Sequence, residues 1–365
     1  MKLTYIVNID LTSAVARAIQ VRAMANEFYT LLNKDFKCFV AKKDITDKQP
    51  FNQIFTLGLK ESNILRKIIF ILGSLKEIKN SDLDTIIYSR NIIIVYIASL
   101  FGKKSAWELH DSLSTFNSFL LKRINNLTII AISQALIDYY NQTFLEEITS
   151  KGLIQYIILA RSGVYIENYD KYKLNPKRKM ILLEQFNLPM DKIIILHSGS
   201  LYPGRGAELF EIILKNFKDI YFLQIGGNES DIKYWQQKYS KYNNIEFIPN
   251  QPNNKLIEYQ LCADLLFLPM TKQSPIWKYT SPMKAFEYMA TQIPILCSNI
   301  GSVSEILDNT NSIIFNYEDE NSLIKAIKWY EANPKQAQEL ALKAYNDVKE
   351  YTWNKRAKYI LSNLK

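Results

Sequence analysis

The sequence predicts an α/β protein of two doubly wound domains, and three observations carry that prediction. The chain has 365 residues, more than one hydrophobic core usually organises. Short apolar runs of strand length alternate with helix-period segments along most of it, as in parallel sheets covered by helices on both faces. The alternation also restarts after a polar, basic stretch poor in core residues, GVYIENYDKYKLNPKRKM at 163–180, which reads as an interdomain linker.

In the first half, KLTYIVNI is a strand, DLTSA its loop, and VARAIQVRAMANEFYTLL a helix. DTIIYSR and KSAWELHD follow as strands ending in polar loops, and LTIIAIS and QYIILA as two more buried strands. After the linker come strand KIIILHSGS, helix AELFEIILKNF, strand IYFLQIGG, helix ESDIKYWQQKYS, strand NIEFIP, helix NKLIEYQLCA and strand DLLFLPM. SPMKAFEYMATQIPILCSN (281–299) reads as an amphipathic helix running into one more buried strand, with helices from there to the end. The natural assembly is two such domains facing across a cleft. Sheets of this kind bind ligands beyond the carboxyl ends of their strands, so the chemistry is expected in the loops that follow those strands.

Composition narrows the function classes. Hydrophobic residues make up 48% and charged residues 22%, the profile of an ordinary globular protein. Three scattered cysteines and two histidines do not provide a zinc site or a disulfide framework, and a reducing cytoplasm suits them. No apolar run reaches the roughly 20 residues of a spanning helix, and the N-terminus has no signal-peptide pattern. The charge is lopsided. Residues 1–179 hold 25 Lys and Arg against 16 Asp and Glu, whereas residues 180–365 hold 20 of each. The first half therefore calls for an anionic partner. Its segment NILRKIIFILGSLKEIKN (63–80) puts Leu65, Ile68, Ile69, Leu72 and Leu75 near one helical face with Arg66, Lys67, Lys76 and Lys79 elsewhere. Either the sheet of its own domain or an anionic bilayer fits that face. The basic residues are dispersed and no nucleic-acid recognition module is present.

Two loops of the second half carry the ligand chemistry. GSLYPGRG (199–206) offers Gly199, Gly204 and Gly206 for close backbone approach, with Ser200 in the same loop and Arg205 as a fixed cation before a helix start. That combination suits a phosphate or diphosphate. In SPMKAFE, Ser281 is the expected N-cap and Pro282 the first helical residue. Met283 and Lys284 would then present helix-start N–H groups, and Glu287, one turn on, could accept ribose hydroxyls.

These two loops, about 75 residues apart, together with IPILCS and SEIL, the lead-in LLEQFNLPMDKIIILHSGSLYPGRG, the helix YTWNKRAKYI and the WELHD stretch of the first half, resemble the family 4 retaining glycosyltransferases of the GT-B fold, the bacterial group 1 type. The resemblance is strong from 180 to 360 and weaker before. It implies an acceptor-binding domain at 1–175, a nucleotide-sugar donor domain at 176–340, and a last helix at 341–365 returning to the first domain. It further implies transfer of a glycosyl group from a nucleoside-diphosphate sugar with retained configuration and without a metal or other cofactor. The acceptor would be a glycan or lipid-linked saccharide, in the synthesis of a surface polysaccharide, on the inner face of the plasma membrane.

Carried over residue by residue, Arg205 takes the diphosphate-binding position, while Ser200 stands where many members have a second Arg. Glu287 matches the second acid of the Glu-x7-Glu motif, whose first acid is replaced here by Tyr279; Gln292 stands where a glycine is usual. His110 matches a histidine beside the donor sugar. Arg90, in IIYSRN, ends a strand on the same side and could meet donor phosphate or an anionic acceptor. The departure at Tyr279 keeps open a non-catalytic nucleotide-sugar binding protein, and the shared fold keeps open a sugar-nucleotide epimerase.

Overall fold

The computed structural model describes every residue except 14, 45, 48, 61, 173–176 and 365. The chain divides into two compact units, Met1–Ser162 together with the segment from Trp353 on, and Gly163–Thr352. Each is built on one sheet, and every strand pairing described in those sheets is parallel.

The first sheet comprises β1 (Leu3–Asp10), β2 (Phe36–Lys42), β3 (Phe51–Gln53), β4 (Ile86–Ser89), β5 (Ser105–Leu109), β6 (Leu127–Ala131) and β7 (Gln155–Leu159). The second comprises β8 (Ile193–Ser198), β9 (Ile220–Ile225), β10 (Ile245–Ile248), β11 (Leu265–Leu268), β12 (Ile295–Ser298) and β13 (Ile313–Phe315). Their orders are β3-β2-β1-β4-β5-β6-β7 and β10-β9-β8-β11-β12-β13. Both are the doubly wound arrangement in which the strand order reverses beside the first strand, between β1 and β4 and between β8 and β11. That reversal opens a crevice at the carboxyl edge. The central strands explain their own position, because Leu265–Leu268 and Ile295–Ser298 are buried at every residue, as strands covered on both faces must be.

β2, β3 and β13 extend the sheets beyond the strands expected above. The division between units falls at 162/163, whereas the expected boundary at 175/176 lies outside the described residues. Toward the C-terminus the helix Pro334–Val348 packs on the helix Met283–Thr291 within the second unit. The returning segment therefore begins at Trp353, not at 341. Its helix, Trp353–Asn363, lies on the helix Ala16–Leu32 and buries Trp353, Arg356, Ala357 and Ile360. Asn354 Nδ2 adds a hydrogen bond to Glu27 Oε2 at 2.8 Å. Regrouped this way, the first unit holds 24 Lys and Arg against 14 Asp and Glu, and the second 21 against 22.

Candidate functional site

In the second unit, β8 ends at Ser198 and delivers the chain into the 199–206 loop beside the strand-order reversal. Two glycines of this loop serve packing. Gly204 (φ +83°) lies so close to the loop after β11 that a Cβ would sit 1.9 Å from Ser274 N, and Gly206 (φ +87°) would place one 2.2 Å from Pro269 Cβ. The neighbouring loop fills the space beside both glycines on the side a Cβ would take. The Thr271 N–H donates to Gly204 O at 3.1 Å and the Met270 N–H to Ser298 Oγ at 2.8 Å, joining the carboxyl ends of β8, β11 and β12. Gly199 has only His197 ring atoms near its missing Cβ, at ordinary contact distance, and Ser200 is exposed. Arg205 is half-buried; its N–H donates to Tyr202 O at 3.1 Å and its guanidinium stands 5.4 Å from the centre of the Tyr202 ring.

The second edge is the helix Met283–Thr291. Its cap residue is Pro282, in extended backbone, so the helix starts one residue later than expected and Ser281 lies outside it, buried. Ala285, Phe286, Tyr288, Met289 and Ala290 face the core, leaving Met283, Lys284 and Glu287 half-buried on the other side. Glu287 is not a lone acid. Its Oε2 pairs with Lys284 Nζ at 2.7 Å and accepts from Gln260 Nε2 at 3.4 Å. The Tyr288 hydroxyl accepts the Ser198 N–H at 2.8 Å, fastening this helix to the end of β8 and hence to the glycine loop. Tyr279, at the position of the family's first acid, is partly exposed, with Lys278 Nζ 5.2 Å from its ring centre.

His197, in β8 just before the glycine loop, is buried. Burial pushes its imidazole down to about 4; the Gln224 hydrogen bond opposes this, and the nearby charges of Arg205 and Lys284 reinforce it. Gln224 Nε2 donates to the carbonyls of Gly199 and Gly226, so Gln224 Oε1 is the acceptor turned toward His197 Nδ1, at 2.6 Å. His197 is therefore neutral near pH 7 with its proton on Nδ1.

In the first unit, His110 and Arg90 end the adjacent strands β5 and β4. Burial and the Arg90 charge hold the His110 imidazole near 4. Behind His110 lies Glu108, a residue the sequence reading passed over. It is 1% exposed, and its Oε1 meets His110 Nε2 at 2.6 Å and accepts from Gln20 Nε2 at 2.9 Å. Its Oε2 accepts from the Tyr88 hydroxyl and faces Arg356 Nη2 at 3.3 Å. Although burial alone would raise Glu108, the Arg356 and His110 contacts hold its carboxyl well below the usual range. An ionised carboxylate only accepts, so His110 carries its proton on Nε2 and keeps Nδ1 as an acceptor. The available signal for Glu108 was an acid inside the buried run SAWEL, one strand repeat before His110.

Two Rossmann-like parallel sheets in one chain make this a GT-B fold. Residues 179–347, most of the second unit, match the family profile of glycosyl transferases group 1, in keeping with the resemblance seen in the sequence. The teichuronic acid biosynthesis glycosyltransferase TuaC, as the Bacillus subtilis (strain 168) protein is named, is 23% identical over 276 residues, covering 74% of this chain. The present chain spans 64% of that protein's length. Sucrose-phosphate synthase from Thermosynechococcus elongatus superposes with a TM-score of 0.78 at 16% identity, covering 99% of this chain and 98% of the other. A glycosyltransferase from Rickettsia africae ESF-5 gives 0.77 at 15%, covering 100% and 98%. Anabaena Alr3699/HepE, in complex with UDP and glucose, gives 0.76 at 14%, covering 100% and 99%. At these identities the superpositions speak for the fold alone. Among the described residues no helix is long and apolar enough to cross a membrane.

Proposed function

We propose that this protein is a glycosyltransferase of surface-polysaccharide synthesis that moves a sugar from a nucleoside-diphosphate sugar to a glycan or lipid-linked saccharide, with retained configuration and no metal. The observation that carries the reading is the joining of two loop edges at the strand-order reversal of the second unit. Arg205 stands on one edge. Lys284 and Glu287 stand on the other, tied to the first through Ser198 and Tyr288. A leaving nucleoside diphosphate gathers negative charge in the transition state. Arg205, Lys284 and the N–H groups of Met283 and Lys284 are preorganised cations and dipoles of the kind that stabilise it. Glu287, with Oε2 engaged by Lys284 and Gln260, takes ribose hydroxyls through its other oxygen. His110 Nδ1 accepts a hydroxyl of the transferred sugar, and Arg90 supplies a further cation. The HepE structures, bound to UDP, UDP-glucose, or UDP and glucose, make uridine nucleotides the first donors to try. Work at the inner face of the plasma membrane fits the basic first unit.

The test is thermal stabilisation by UDP, GDP, ADP, CMP and their sugar conjugates, followed by product analysis with the stabilising donor. Stabilisation by one nucleoside diphosphate that disappears in Arg205→Ala supports the donor site, and its persistence in that variant overturns it. Tyr279, in place of an acid, favours a second reading, a nucleotide-sugar binding protein without turnover. Stabilisation with no sugar transferred to any saccharide acceptor would select that reading. Conversion of the donor with no acceptor present would select an epimerase.

A further inference from the structure

At the carboxyl edge of β1, β2 and β3 the first unit opens a pocket of about 370 Å³. Among the described residues, Arg17, Lys42, Lys60 and Arg66 line it together with one carboxylate, Asp10. That carboxylate is already engaged, since Asp10 Oδ1 accepts from the Thr12 N–H at 2.9 Å and its hydroxyl at 2.6 Å, and Lys42 Nζ lies 3.4 Å from Oδ2. Arg66 is 3% exposed and fixed in orientation by bonds from Nε to Asn8 Oδ1 (3.2 Å) and from Nη1 to Leu59 O (2.9 Å). Among the described residues the lining therefore carries three more positive charges than negative ones, one of them on a rigid guanidinium. That is the composition of a phosphate or diphosphate site, at the edge where parallel sheets take their ligands.

Gln53 lines this pocket and also a neighbouring groove of about 490 Å³ walled by Phe39, Ile54, Phe55, Ile69 and Leu72. Beside the groove the helix Ile64–Asn80 turns its more apolar face outward. Its buried residues are Arg66, Phe70, Ser74 and Ile78, whereas Ile64, Leu65, Ile68 and Leu72 are 49–73% exposed. Phe55 and Leu57, on the preceding segment, are 70% and 58% exposed. Lys60, Lys67, Lys76 and Lys79 stand exposed around this apolar ridge. A second copy of the chain is a poor cover for it, because a two-fold contact would set these lysines against themselves. An anionic bilayer complements both the apolar ridge and its basic rim.

We propose that the pocket binds the phosphate group of a lipid-borne acceptor while the ridge of helix Ile64–Asn80 rests on the bilayer that carries it. The inference rests on the glycosyl-transfer reading and gives it an acceptor class, an amphiphile with an anionic head and an apolar tail.

Flotation of the full chain with phosphatidylcholine vesicles tests the inference. One set is plain, one contains phosphatidylglycerol, and one contains a polyprenyl phosphate at matched charge. Arg17→Ala/Lys60→Ala alters the pocket and Ile68→Glu/Leu72→Glu the ridge, all at exposed positions, with folding checked by circular dichroism. The expected result is binding to polyprenyl phosphate vesicles about tenfold tighter than to phosphatidylglycerol vesicles, a difference of about 1.4 kcal/mol. The pocket variant should lose that preference, and the ridge variant should weaken binding to both anionic vesicles. Equal binding to the two anionic vesicles, or a preference that survives in the pocket variant, overturns the pocket assignment. No vesicle binding, with inorganic diphosphate still raising the melting temperature in a pocket-dependent way, overturns the lipid source and points to a soluble anionic acceptor. Nucleotide stabilisation that depends on Arg205 separates the two readings. If it persists while vesicle binding fails, only the present inference falls.

Discussion

The two units share one strand order over the first six strands of each but hold their candidate residues by different physics. In the first, His110 is oriented by a buried ion cluster, with Glu108 against Arg356 and with Tyr88 and Gln20 completing its hydrogen bonds. In the second, the loops around Arg205 and Glu287 are held by glycines pressed on a neighbouring loop and by backbone N–H bonds to Gly204 O and to the Ser298 and Tyr288 hydroxyls. The first unit is strongly basic and the second close to neutral. A buried ion pair is costly to leave half-made, whereas a backbone lattice tolerates loss of a side chain that points out of it. The two units should therefore fail differently when their key residues are changed.

The largest effect is expected in the first unit. Glu108→Gln strands the Arg356 guanidinium, which is 5% exposed, and should cost about 3–5 kcal/mol of stability, measured by urea unfolding. In the second unit Arg205→Ala should leave the fold intact and lower kcat/KM by about 10²–10³-fold, the usual loss for one preorganised charge-stabilising donor. A large stability loss in Arg205→Ala, or none in Glu108→Gln, would break the contrast.

Acid comes next. His197 is 3% exposed with its folded pKa near 4, below the unfolded value of 6.5. Between those values the unfolded chain binds more protons, so stability falls as pH drops from about 6.5 to about 4 and changes no further from this group below that. The loss from His197 should be on the order of 3 kcal/mol. His110 titrates in the same direction but contributes less, because its side chain is a quarter exposed to screening solvent. His197→Gln should flatten much of the slope, and an unchanged slope would remove His197 from the account. Gly204→Ala follows at roughly 2–3 kcal/mol, from a positive φ and a backbone clash that must be relieved. A melting temperature within a degree of wild type would show that the loop after β11 yields easily.

Legibility in the sequence follows the same division. The fold and the donor loops could be read because doubly wound sheets alternate strand and helix, and because the second half carries its residues in two short stretches, GSLYPGRG and SPMKAFE. β3 and β13, three residues each, are too short to show a period. Proline favours a first helical position, so the sequence predicts a helical Pro282, but its extended ψ leaves it as the cap. The packing role of Gly204 and Gly206 depends on Ser274 and Pro269, some 60–70 residues away, a contact no local pattern records. The same holds for the cluster behind His110. Glu108 and Arg356 lie 248 positions apart in the sequence and meet only because the final helix returns to the first unit. The exposed ridge of Ile64–Asn80 was seen as an apolar face, but the choice between sheet and solvent was decided by Phe70, Ser74 and Ile78, which form the other face.

That distant pairing allows a finer prediction, in which the structural and positioning roles of Glu108 come apart. Glu108→Gln/Arg356→Met removes both charges at once, and replacing a buried pair by groups of similar volume is commonly close to neutral. The double variant should recover most of the stability lost in Glu108→Gln. It should not recover the tautomer of His110, because a glutamine can donate to Nε2 as well as accept from it, so Nδ1 no longer stays a fixed acceptor. Turnover in the refolded double variant should therefore remain about tenfold below wild type with the KM for donor little changed, a modest loss of the size expected when one catalytic hydrogen bond is misaligned. Glu108→Asp/Arg356→Lys, which keeps the carboxylate as an acceptor only, should retain more of the turnover. If the Glu108→Gln/Arg356→Met protein is both stable and fully active, Glu108 is a packing charge and His110 needs no help to hold its ring. If it is stable and slow, with turnover partly rescued by the carboxylate-preserving pair, the ion cluster of the first unit is there to hold a neutral histidine in one tautomer.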